Sequence, residues 1–133
     1  MRLLLDTHYA LWLTTRQELL TVSERALLLG PATDAAISAV SLWELRLKWN
    51  SFHVSGFRKG PIDPEILRHI AEDGGAKLID LTAEQAATPL AAPIAHKDPF
   101  DELLLVQAQQ TGRLLLTRDR LLLGHPLATT APA

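Results

Sequence analysis

Short, unbroken apolar runs recur along this chain, and each stops abruptly at a polar or acidic residue. Leu3-Leu4-Leu5 ends at Asp6, as a buried strand does on leaving a core. Tyr9 to Leu13 predicts a helix broken near Thr14-Thr15-Arg16. Thr21 and Glu24 have capping-box spacing ahead of Ala26-Leu27-Leu28-Leu29, and Gly30-Pro31 closes that second helix. Ala35 to Ser38 predicts a second strand. Ser41 and Glu44 repeat the capping-box spacing for a helix running to about Trp49, and residues 50–60 read as a loop or bent connection. Asp63-Pro64 is a cap followed by a first-turn proline for a helix through Ile66, Leu67 and Ile70, stopped by Gly74-Gly75.

Further on, Lys77 to Leu81 alternates as a third strand should, and Thr82 with Gln85 opens a short helix confined by Pro89 and Pro93. Asp98-Pro99 starts a helix reaching Gln110, with Gly112 just beyond it. Leu114 to Thr117 predicts a fourth strand, Leu127-Ala128 a fifth, and the tail from Thr129 to Ala133 is expected to fray. This alternation of strands and helices predicts an α/β fold: a mostly parallel sheet of four to five strands with helices on both faces. Ligands of such sheets bind outside the carboxyl ends of the strands, where Asp6 and Asp119 both fall.

Composition narrows the picture. With 133 residues, 47% hydrophobic and 21% charged, the chain is expected to form a single globular domain over 1–133. The absence of cysteine excludes disulfides and thiolate metal sites. The first apolar run is too short for a signal segment and no later one reaches spanning length, so a soluble, unprocessed, cytoplasmic protein without membrane contact is expected. A net charge of −2 offers no global attraction to a polyanion. Such a partner must be met by a local basic patch or by bound cations.

Each acid at an element end has two readings. Asp98 before Pro99 is placed to cap a helix, and Asp101 lies on its first turn, where the helix dipole favours negative charge. Glu44 completes a capping box with Ser41, Asp6 can cap the Tyr9 helix, and Asp119 stands between Arg118 and Arg120, with which it can pair. Taken together, however, these acids point to one edge of the sheet. Gathering them there without compensation is costly. A hard divalent cation with all-oxygen ligation removes that cost, and such an ion also activates water against a phosphodiester.

Leu4-Leu5-Asp6-Thr7-His8, Ser41-Leu42-Trp43-Glu44-Leu45, His96-Lys97-Asp98-Pro99-Phe100-Asp101 and Thr117-Arg118-Asp119 resemble, in order and spacing, the motifs of PIN-domain ribonucleases. The resemblance is strongest to VapC-type toxins of type II toxin–antitoxin pairs and spans Leu3 to about Arg120. It implies a PIN-like three-layer sandwich and a Mg²⁺-dependent endoribonuclease, with Mn²⁺ as substitute. Asp6, Glu44, Asp101 and Asp119 are the implied catalytic metal ligands, Asp98 assists, and Thr7 and Thr117 support them. It also implies an RNA substrate, a VapB-like antitoxin and a homodimer. Two departures stand out: Glu102 replaces the arginine common after DPFD, and residues 50–60 match poorly.

Arg46, Lys48, Arg58 and Lys59 lie among Trp49, Phe52, His53 and Phe57. Cations beside rings suit single-stranded RNA, although an ordinary helix with basic exposed positions and aromatic core residues reads the same way. His8 and His96 are expected to orient loop backbone rather than ligate metal. Leu11, Trp12, Leu13, Leu19, Leu20 and Val22 offer surplus apolar surface for a partner. The alternative function is a catalytically silent PIN-like module that binds RNA or protein. A haloacid-dehalogenase-like phosphotransferase usually requires a further aspartate where His8 stands.

Overall fold

The computed structural model describes residues 1–132. β1 (Arg2–Leu5), β2 (Asp34–Ser38), β3 (Lys77–Ile79), β4 (Leu114–Leu116) and β5 (Ala128–Thr129) form one sheet in the order β3-β2-β1-β4-β5. Every pairing is parallel, so all the carboxyl ends share one edge. β1 is central, and Leu3, Leu4 and Leu5 are fully buried. Burial on both faces explains why the strands are continuous leucine runs rather than alternating ones.

Strand alternation divides those leucines between two cores. Leu3 and Leu5 join Ile37, Leu116, Tyr9, Leu28 and Ala71, under α1 (Thr7–Thr15), α2 (Val22–Leu29) and α4 (Pro64–Asp73). Leu4 joins Ala36, Leu115, Val40, Leu104, Leu105 and Leu122, under α6 (Pro99–Thr111) and the start of α3 (Ala39–Trp49). α5 (Ala83–Ala87) lies against α6. The result is helices, sheet, helices: a three-layer α/β sandwich.

Several boundaries differ from expectation for local reasons. α3 starts at Ala39 with Ser38 as its cap, the Ser38 hydroxyl accepting from Val40 N–H at 2.9 Å. β2 therefore passes straight into α3, and Ser41 and Glu44 lie inside the helix instead of forming a capping box. α1 does end where expected, at Thr15 with Arg16 as its cap, and the Thr14 and Thr15 hydroxyls bond back to the carbonyls of Ala10 and Leu11 in its last turn. β3 ends at Ile79 and β4 at Leu116, and β5 is shifted by one residue to Ala128–Thr129.

The tail is better ordered than expected. Thr129 accepts from Thr117 N–H at 3.0 Å, and the Pro132 carbonyl accepts from the Ser23 hydroxyl; Ala133 lies outside the described residues. On the N-terminal helices, Leu20 belongs to the core, and Leu11, Trp12 and Leu13 are half-buried. Only Leu19 and Val22 of that apolar set are exposed. The expected partner surface there is correspondingly smaller. Among the described residues, no helix is long and apolar enough to cross a membrane.

Candidate metal centre

The carboxyl edge of the sheet collects the acids in small groups of side-chain contacts. Asp6 leaves β1 in extended conformation and caps α1, its carboxylate accepting from Tyr9 N–H at 2.9 Å. Its other oxygen accepts from the Thr117 hydroxyl at 2.7 Å, and the same hydroxyl accepts from Asp119 N–H at 3.0 Å. Thr117 thus ties the end of β1 to the turn after β4. On the other side, the Thr7 hydroxyl lies 2.7 Å from Glu44 Oε1 and 3.1 Å from Ser41 Oγ. Lys48, one turn further along α3, places its ammonium 3.2 Å from Glu44.

The DPFD stretch divides its two acids between tasks. Asp98 caps α6, accepting from Phe100 N–H at 2.9 Å and Asp101 N–H at 3.2 Å. Asp101 instead faces His96, with Oδ2 3.0 Å from Nε2. His96, Asp101 and Asp119 each bring a donor atom to within 4.8 Å of the others. The donors of Asp6, Glu44 and Asp98 stand outside that trio. Asp119 does not pair with Arg118 as its neighbours in sequence suggested: Arg118 turns away to Glu24, and Asp119 caps its own turn through Leu121 N–H at 2.9 Å.

Charge at this edge is poorly compensated. Burial pushes the Asp6 carboxyl above its ordinary range against the hydrogen bonds from Tyr9 and Thr117 and the nearby His8, and Glu44 adds repulsion. Burial also raises Asp101; His96 opposes that rise, while Asp98 and Asp119 add to it. The hydrogen bond to Asp101 raises the His96 imidazole. A hard divalent cation fits this arrangement, because oxygen donors dominate it and their unrelieved repulsion is what such an ion offsets.

His96 is the residue whose role the sequence reading missed. It was expected to orient backbone, yet it contacts a carboxylate, and its Nδ1 is buried without a partner. Its spacing of five residues from Asp101 is a signal only once the 3.0 Å contact is known. His8 is exposed and stacks against Trp12 at 5.6 Å between ring centroids. Glu102 is exposed on the first turn of α6 and contributes no donor to the trio. Of the basic residues, Arg46 pairs with Asp63 at 2.8 Å, which occupies it within the fold.

The profile of the PIN domain family matches residues 3–123. Among solved structures, VapBC2 from Rickettsia felis bound to a promoter DNA fragment is similar at a TM-score of 0.58 and 17% identity, covering 98% of this chain and 97% of that one. A domain of a functionally unknown protein from Methanocaldococcus jannaschii is similar at 0.52 and 18% identity, covering 99% and 91%. No curated protein matches. The two structures share the fold, and the family match extends from β1 through the turn beyond β4, taking in every acid of the edge: the chain belongs to the PIN domain family.

Proposed function

We propose that this protein is a Mg²⁺-dependent endoribonuclease of VapC type, the toxin of a toxin–antitoxin pair, with Mn²⁺ able to substitute. The observation that carries the reading is the run of acids along one sheet edge, Glu44, Asp6, Asp119 and Asp101, with His96 against the last. Asp6, Glu44, Asp101 and Asp119 would hold the cation, and Asp98 would assist by fixing the first turn of α6. A bound divalent ion supplies acidified water and offsets negative charge on the phosphate. Thr117 and Thr7 hold Asp6, Asp119 and Glu44 in place, and Asp98 keeps the Asp101 backbone in register. The same reading includes a VapB-like antitoxin, which the likeness to the VapBC2 assembly supports, together with a homodimer and a cytoplasmic setting.

The test is incubation of purified protein with RNA and Mg²⁺ or Mn²⁺. Cleavage that persists in Asp6→Asn or in excess chelator sinks the mechanism. A second reading, a silent binding module, has its own support: Asp6, Asp98 and Asp119 each accept a backbone N–H and so serve as caps. Calorimetric titration with Mn²⁺ separates the two. Binding that is lost in Asp101→Asn favours the nuclease, and no binding to the wild type favours the module.

A further inference from the structure

Between Glu44 and Asp63 the chain has no carboxylate, but it carries Arg46, Lys48, Arg58, Lys59 and His53. Residues 51–59 fold into a short hairpin. Phe52 bridges Arg58 in antiparallel fashion, His53 N–H donates to Phe57 O at 2.8 Å, and Lys59 N–H donates to Ser51 O at 2.9 Å. Gly56, at φ +92°, makes the tip. Gly60 seats the returning strand directly on the end of α3, where a Cβ would come within 2.6 Å of Trp49 N. The Arg58 guanidinium lies 4.3 Å from the Trp49 ring centroid and 4.7 Å from that of Phe52, and donates to Trp49 O.

The hairpin is therefore pinned, yet Phe52 is 53% and Phe57 76% exposed, and Val54 is fully open to solvent. Arg46 is committed to Asp63, whereas Lys59 makes no ion pair among the described residues. Lys48 and Trp49 follow Glu44 by little more than one turn of α3, so the hairpin leaves that helix about one and a half turns beyond the acid. The hairpin carries no acid of its own, and Asp63, which Arg58 faces, is already paired with Arg46; open rings with surplus cations select a polyanion with flat faces over an apolar protein surface.

We propose that the hairpin 51–59 docks single-stranded RNA, with Phe57 stacking on a base while Arg58 and Lys59 neutralise phosphates. The proposal rests on the ribonuclease reading for the strand's destination, and not for its binding.

The experiment is fluorescence anisotropy with a labelled, mixed-sequence single-stranded RNA in chelator, together with sedimentation of the same samples. Phe57→Ala is expected to weaken binding roughly five- to hundred-fold, the range for one lost base stack. Lys59→Gln is expected to lower the slope of log affinity on log salt by about 0.7. Affinity unchanged in both variants overturns the proposal. So does a Phe57→Ala variant that loses self-association while keeping its RNA affinity, since the surface then serves a second copy. If the wild type fails to cleave with metal but Phe57-dependent binding remains, the ribonuclease reading falls and the docking surface stands. If the wild type cleaves and Phe57→Ala leaves both binding and KM intact, the reverse holds.

Discussion

Replacing Glu24 with Gln removes a charge from the joint between α2 and the turn that carries Asp119. Glu24 is only 4% exposed. Its carboxylate takes the Arg118 Nε–H at 2.9 Å and a second Arg118 N–H, together with the Tyr9 hydroxyl and Thr21 N–H at 2.8 Å. Foremost through Arg118, and against the cost of burial, these contacts hold the carboxyl at about 2, from an ordinary 4.5. At about 1.4 kcal/mol per tenfold change in proton affinity, that depression amounts to about 3 kcal/mol of pH-dependent stability. Arg118 is 43% exposed, so solvent screening should reduce it to about 2 kcal/mol.

The folded carboxyl is the more acidic one. The contribution is therefore complete above the unfolded value near 4.5 and disappears as pH falls toward 2. Urea unfolding followed by tryptophan fluorescence is a suitable assay, since Trp12 lies 4.3 Å from the Arg118 guanidinium. Wild type should exceed Glu24→Gln by about 2 kcal/mol at pH 7, and the gap should close as pH approaches 2. A gap that stays constant across this range, or is absent at pH 7, refutes the reasoning.

Asp101→Asn should abolish RNA cleavage, whereas Asp98→Asn should retain part of it because asparagine caps helices about as well as aspartate; equal and complete loss from both, in a gel-based cleavage assay, would show that the division of labour is wrong. Thr117→Val removes the hydroxyl shared by Asp6 and Asp119, and should cost about 1–3 kcal/mol in denaturant unfolding and lower kcat more than it raises KM. Mn²⁺ at a hundred times its Kd should raise stability by about 2.7 kcal/mol, read as a rise in Tm that chelator reverses and Asp101→Asn lacks.

Much of the fold was legible because its signals are local. Leu3-Leu4-Leu5 and Leu114-Leu115-Leu116 announce strands buried on both faces, and the caps at Thr21, Asp63, Thr82 and Asp98 are used by the helices they predicted. Glu44 shows where local signals mislead. Its spacing from Ser41 matches a capping box, but Ser38 already serves α3, and Glu44 turns to Thr7 and Lys48. Arg118 misleads likewise: beside Asp119 in sequence, it reaches Glu24 across the fold.

Sequence by itself determined the layer order, the parallel sheet and the edge at which acids accumulate, because apolar run length, helix caps and strand-end acids depend on neighbouring residues alone. Only the tertiary structure decided that His96 faces Asp101, that one Thr117 hydroxyl joins Asp6 to Asp119, and that residues 51–59 close into a hairpin over Trp49. Those contacts bring together groups from different elements, or from a loop in which a guanidinium lies against two rings. Their distances follow from how α3, α6 and the turn after β4 pack around β1, and no periodicity along the chain encodes that packing.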